Sequence, residues 1–193
     1  MADVVSAAPK AETRDLLERT LRAARRDVAT VANSGAVLGP LTHGVSIRQA
    51  TTHSDRRGAV VELFDPRWNW HPDPLVFAYS FTIRPGFAKG WNLHKEHEDR
   101  YVIMFGEMEL VLFDPRADSP TYGQICRLVL GERNRCLVNI PKDVWHADRN
   151  IGSTDVVGIN FPTTQYDHAN PDKYRLPLDT DLIPYKFEDV RGW

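Results

Sequence analysis

From residue 45 onward the sequence is a succession of short apolar and β-branched runs, each stopped by Gly, Pro, Asp or Asn. Runs at 59–64, 75–83, 101–105, 108–113, 125–130, 136–140 and 156–161 have the composition of half-buried or buried strands. Turn signals separate them at Arg84-Pro85-Gly86, Phe105-Gly106, Asp114-Pro115, Ser119-Pro120 and Asn150-Ile151-Gly152. Strands this closely spaced leave no room for crossover helices, so the spacing predicts an antiparallel all-β sandwich or jelly roll. There is no βαβ alternation and no glycine-rich phosphate loop, which excludes the common nucleotide-binding α/β folds.

Only the N-terminal part reads as helix. Over residues 11–32, Leu16, Leu17, Leu21, Ala24, Val28 and Val31 recur at helical spacing, and Asn33-Ser34-Gly35 supplies a stop. This helix is expected to pack on the barrel or on a second subunit. Residues 1–40 are therefore read as a helical extension and 41–193 as the β domain, one core being what 193 residues support. The segment after Tyr166 lacks periodicity but carries Leu176, Leu178, Leu182, Ile183, Tyr185 and Phe187, and is expected to wrap back over the barrel mouth.

A formal net charge of −2 gives no electrostatic reason to expect nucleic acid or an acidic membrane as partner. No apolar run approaches a membrane span, and no secretory signal or transit peptide is evident, which predicts a cytoplasmic protein. Cys126 and Cys136 stand inside apolar runs, as buried thiols of a reducing compartment do.

Chemistry is concentrated in two histidine blocks. The first is Gly90-Trp91-Asn92-Leu93-His94-Lys95-Glu96-His97-Glu98-Asp99, ahead of an apolar run; the second is Pro141-Lys142-Asp143-Val144-Trp145-His146 through Asn150. Two strands of one barrel aiming imidazoles into a shared pocket would hold a metal or move a proton. His94, His97, Asp99 and His146 are of the ligand types that bind a divalent ion such as Zn, Mn, Fe or Ni. On a strand, however, residues three apart face opposite sides, so His94 and His97 share a centre only across a bulge or turn. His43, His53, His71 and His168 read as surface or turn residues.

The paired blocks resemble the motifs of the cupin superfamily, and the resemblance implies a double-stranded β-helix, the jelly-roll barrel. Further segments resemble the sugar-nucleotide epimerases typified by dTDP-4-dehydrorhamnose 3,5-epimerase. Asp55-Arg56-Arg57-Gly58-Ala59-Val60-Val61-Glu62 is similar to that family's Arg-Gly-x-Phe-x-Glu strand. Asp114-Pro115-Arg116, followed by Ser119-Pro120-Thr121-Tyr122-Gly123, is the most specific match. Ile140-Pro141, His146, Tyr166 and Pro171-Asp172 follow in family order.

What the resemblance implies is an isomerase acting on a nucleotide-linked 4-keto-6-deoxy sugar, without a redox cofactor, commonly as a homodimer. The resemblance makes His94 the base, supported by Asp179, and Arg57, Glu62, Lys89, Arg116 and His146 substrate contacts. The chain also departs from the family. Asp99 falls where the family has the lysine that steadies the enolate oxygen, and Asn160 or Phe161 falls where it has a tyrosine acid, leaving Tyr101 or Tyr166 as replacements. These departures fit single-centre epimerisation or 3,4-keto isomerisation. The rival readings are a metal-dependent cupin using His94, His97, Asp99 and His146, and a non-catalytic sugar-binding cupin.

Overall fold

The computed structural model describes residues 10–34 and 38–192. In chain order its elements are α1 (Lys10–Ala23), β1 (Ser46–Gln49), β2 (Thr52–Asp55), β3 (Gly58–Val61), β4 (Tyr79–Ile83), β5 (Phe87–Leu93), β6 (Asp99–Phe105), β7 (Glu107–Phe113), β8 (Ile125–Gly131), β9 (Cys136–Ile140), β10 (Trp145–Asn150), β11 (Val156–Asn160), β12 (Tyr174–Arg175) and β13 (Arg191–Gly192). The strands form two main sheets in the orders β1-β9-β6-β11-β4 and β12-β5-β10-β7-β8, plus a β2-β3 hairpin. Every pairing is antiparallel except β13 on β5. From β4 to β7, and again from β8 to β11, successive strands alternate between the two main sheets, which is the winding of the jelly roll. The fold is thus the all-β barrel that the run spacing predicts.

Strand period places the core. On β6, Tyr101 and Ile103 face the space between the sheets, where Met108, Leu110, Leu112, Cys136 and Val138 meet them, while Val102 turns to an outer cluster with Leu137 and Phe161. Burying side chains of this size stabilises the fold by roughly 1.5–3 kcal/mol each. Cys126 and Cys136 are buried free thiols. Gly158 on β11 has a packing reason: a Cβ there would lie 2.4 Å from the Phe81 ring.

The tail returns as expected. β12 and β13 both add to β5, and Leu176, Leu178, Tyr185 and Phe187 pack around the fully buried Trp91. This return carries Asp172 and Lys173 to the barrel mouth.

The chain parts into two compact units between Gly39 and Pro40. In the first, α1 ends at Ala23 rather than running through residue 32. Beyond it, Val28, Thr30 and Val31 are β-branched residues of low helix propensity, and the Asp27 carboxylate accepts the Val28 N–H at 2.9 Å, a bond that competes with helix. Asn33 and Ser34 form a turn, and Gly35 of the expected stop lies outside the described residues. Leu16, Leu17 and Leu21 are each more than half exposed. Among the described residues no helix is long and apolar enough to cross a membrane.

Candidate active site

β5 ends at Leu93 and β6 begins at Asp99, and the connection between them is the turn that the two histidines require. It brings His94 and His97 together with ring centroids 4.1 Å apart. Asp172, delivered by the tail, holds the turn. Its carboxylate accepts the backbone N–H groups of Lys95 at 2.9 Å and Glu96 at 2.7 Å, and lies 2.9 Å from Nδ1 of His97. The Asp172 carbonyl accepts Nδ1–H of His94 at 2.5 Å.

The second block closes onto the first. Asp143, where the cupin motif usually has Gly, adopts a left-handed φ of 61° and donates its N–H to the His94 carbonyl at 2.9 Å. His146 then enters on β10, its ring 5.4 Å from that of His94. The Nε2 atoms of His94, His97 and His146 stand 3.3, 3.5 and 3.5 Å from the Asp99 carboxylate. Asp99 also accepts from Asn160 Nδ2 at 2.6 Å and from the Tyr101 hydroxyl at 3.3 Å. All four ligand-type side chains are buried. Asn150, which completes the second block, is structural: its amide donates to the carbonyls of Ile83 and Thr154.

His94 and His97 of the cluster line a small cavity, and a larger one shares Tyr79 and Lys173 with it. The larger, of about 440 Å³, carries the cations Arg84, Lys89, Lys173 and Arg175, and beside them Tyr101 and Asp148. The smaller, of about 60 Å³, is bounded by His94, His97, Asp172 and Tyr166. Asp148 follows His146 across a register shift in β10, and its Oδ1 is buried without a hydrogen-bond partner.

Electrostatics separate these groups. Burial acts to raise the Asp99 carboxyl, but the imidazoles of His146, His94 and His97 prevail and hold it well below the usual range. Burial acts to lower His94 while the Asp99 charge prevails and raises it; at the fully buried His146 burial wins and the shift is downward. Burial, with the Asp99 charge beside it, pushes Asp148 up to about 7. Burial and Asp99 likewise raise the Tyr79 phenol, and burial with Asp148 raises that of Tyr101. Burial and Arg175 lower the Lys173 ammonium.

The structure brings together His94, His97, Asp99 and His146 and places Lys89 in the large cavity. It does not bring Asp179 to His94. Asp179 is exposed in the tail, where its carbonyl accepts from Lys186, and the carboxylate that meets His94 is Asp99. Three expected substrate contacts also stand away from both cavities within the chain. Arg57 pairs with Asp55 across the β2–β3 turn. Glu62 is exposed beyond β3. Arg116 is committed to Asp114 and the His43 carbonyl. His71, read as a surface residue, has a mostly buried ring bonded to Glu98 at 3.2 Å.

Other site residues were missed. Asn160 removes the tyrosine of its own strand, yet it is register partner of Tyr79 on β4, and its amide donates to the Tyr79 hydroxyl at 2.9 Å. A phenol therefore reaches the site from the adjacent strand. Asp148 had a signal, since it shares the strand parity of His146. Lys173 had none.

A jelly-roll barrel with this imidazole and carboxylate cluster under a cation-lined mouth defines a cupin-class protein. Within that class the chain belongs to the dTDP-4-dehydrorhamnose 3,5-epimerase family, whose sequence profile matches residues 41–180. It is 38% identical over 142 residues to the probable low-salt glycan biosynthesis epimerase Agl13 of Haloferax volcanii, covering 72% of this chain and 90% of that protein. It is 33% identical over 146 residues to the spore coat polysaccharide biosynthesis protein SpsL of Bacillus subtilis, covering 75% and 95%. The fold matches a dTDP sugar isomerase from Desulfovibrio desulfuricans with a TM-score of 0.70 at 23% identity, over 75% of this chain and 91% of that one.

Proposed function

We propose that the protein is a sugar-nucleotide epimerase that inverts a carbon beside the ketone of a nucleotide-linked 4-keto-6-deoxy sugar, in glycan or polysaccharide biosynthesis. Family membership and the two relatives' roles support the reaction class. The observation that carries the reading is the large cavity itself, which four cations, a carboxylate and two phenols line.

A C–H bond beside a carbonyl is acidified because its removal leaves an enolate, and inversion requires that the proton return from the other face. The Asp148 carboxylate, which lines the cavity with one buried oxygen unpartnered, suits removal of a proton. The Tyr79 hydroxyl, oriented by Asn160, is placed to return one. Lys173 supplies positive charge for the enolate oxygen. The Asp99 charge that would oppose an enolate is enclosed by three imidazoles, Asn160 and Tyr101. His94, the base of the resemblance, opens onto the smaller cavity with both ring nitrogens engaged, and its role lies within the cluster. Arg84, Lys89 and Arg175 suit a diphosphate.

A cytoplasmic homodimer belongs to the same proposal. Buried free thiols suit a reducing compartment, and the exposed Leu16, Leu17 and Leu21 of α1 suit contact with a second copy. The test is conversion of dTDP-4-keto-6-deoxyglucose followed by NMR. A product inverted at C3, C5 or both is expected, and a sugar that binds but keeps its configuration overturns the proposal in favour of a binding module.

A further inference from the structure

We propose that residues 164–175 form a strap that the diphosphate of the substrate draws shut over the site, with Asp172 as its latch. Both ends of the strap are fixed. Before it, the Thr163 N–H donates to the Glu98 carbonyl at 3.0 Å, and the Glu98 N–H donates to the Thr163 hydroxyl at 3.0 Å. After it, the Leu176 N–H donates to the Trp91 carbonyl at 3.1 Å, and Leu176 and Leu178 join the apolar cluster around Trp91.

Between these anchors the chain is held lightly. Residues 164–171 are all exposed, and several of their bonds run within the segment: the Asp167 carboxylate accepts the N–H groups of Ala169 and Asn170, and the His168 ring lies against Tyr166. A segment that buries so little apolar surface opens at low cost. Its seat on the barrel is made of three contacts. Tyr166 stacks on Phe77 with ring centroids 6.4 Å apart. The Asp172 carboxylate accepts three successive N–H groups of the histidine turn, from Lys95 at 2.9 Å, Glu96 at 2.7 Å and His97 at 3.3 Å. β12, two residues long, pairs with the end of β5.

Opening the strap removes one side of each cavity. Tyr166, Asp167 and Asn170 bound the small one opposite His94 and His97, and Lys173 lines both. Of the four cations of the large cavity, Arg84 follows β4 and Lys89 lies on β5, whereas Lys173 and Arg175 ride on the strap. Burial and the like charges of Arg175 and Lys89 act against the Lys173 ammonium, and Asp99 and Asp148 act for it. An anion set between strap and barrel offsets that repulsion. A diphosphate carries its charge on two phosphoryl groups joined by one oxygen, so it can meet cations of both parts at once. A ligand that binds the closed form better shifts the strap toward it. The trigger rests on the proposed function, which supplies the diphosphate. Closure then ties catalysis to binding, because Lys173 is in place for the enolate oxygen only when the strap is shut.

Hydrogen exchange followed by NMR on the full chain tests the strap. The Lys95 and Glu96 N–H groups are covered by Asp172, so in the free protein they should exchange at one common rate, faster than the amides of β7, which lies between β8 and β10. dTDP at 100 times its Kd should slow them about 100-fold, because the closed form alone binds it. Thymidine, which lacks the diphosphate, should leave them unchanged. Exchange as slow as that of β7 in the free protein overturns the proposal, and so does exchange that saturating dTDP leaves unchanged or that thymidine slows equally. Failure of dTDP to bind the folded protein overturns it too. Protein that inverts the sugar while dTDP leaves these amides unchanged overturns the strap and keeps the epimerase; protein whose strap dTDP closes but that inverts no sugar does the reverse.

Discussion

Asp114→Ala tests how the barrel's most specific sequence segment stabilises it. The Asp114 carboxylate, fully buried, accepts from Arg116 Nε and Nη2 at 2.8 Å each, from Ser119 Oγ at 2.5 Å and from Thr121 Oγ1 at 2.6 Å. Removing one partner of a wholly buried charge pair costs about 3–5 kcal/mol. The Arg116 side chain keeps 25% of its exposure, so water recovers part of that loss and we expect ~3 kcal/mol. With a urea m-value of about 2 kcal/mol/M, the midpoint should fall by roughly 1.5 M with the slope unchanged. The gap should also depend on pH. Burial opposes ionisation of Asp114, but the bonds from Arg116, Ser119 and Thr121 prevail and hold it below the ordinary carboxylate range. A carboxyl lowered on folding contributes stability above its unfolded pKa of about 3.9 and loses it as pH falls through the folded value. The wild-type advantage should therefore be complete at pH 7 and narrow in acid below about pH 4. Urea unfolding monitored by tryptophan fluorescence at both pH values measures it. A loss below about 1 kcal/mol, or a gap that does not narrow in acid, refutes the reasoning.

Four further substitutions probe the site and the core. Asp148→Asn removes the base and should lower kcat by about 10²-fold or more with little change in KM; wild-type turnover in this variant would exclude Asp148. Tyr79→Phe keeps proton removal but not its return, so NMR should find deuterium entering from solvent without inversion, and full inversion would assign the acid elsewhere. Lys173→Met should cost about 10²-fold in kcat/KM if its charge meets the enolate oxygen, and a change confined to KM would reduce it to a binding contact. Gly158→Ala sets a Cβ 2.4 Å from the Phe81 ring and should destabilise by about 1–3 kcal/mol in thermal unfolding; an unchanged Tm would mean that Phe81 moves freely.

The sheets were legible because their signal is local. Alternating apolar runs broken by turn residues map onto β3, β4, β6, β7, β8, β9 and β11, and the 136–140 run coincides with β9. β5 and β10 carry no such signal, since Phe87–Leu93 mixes Lys, Gly and Asn with Trp, and Trp145–Asn150 is mostly polar. Those polar residues are there because both strands line the site. The helix was overextended because apolar spacing continues past Ala23 while β-branching does not favour helix.

The histidines and Asp99 are legible as one cluster; the groups that surround it are not. Whether Asp99 or Asp179 meets His94 depends on which way a tail without periodicity returns. That Asn160 brings Tyr79 depends on the register of β11 against β4, which no local pattern encodes. Arg100 shows the same limit: fully buried, it donates to the carbonyls of Asp73, Pro74 and Phe161, and only the folded chain supplies those acceptors.

The most direct test of the epimerase reading is solvent exchange on dTDP-4-keto-6-deoxyglucose. In deuterium oxide, the wild-type protein is predicted to place deuterium at C3, C5 or both, beside the ketone, while Asp148→Asn places about 10²-fold less in the same time. Absence of deuterium at both carbons, with the nucleotide sugar bound, contradicts the account.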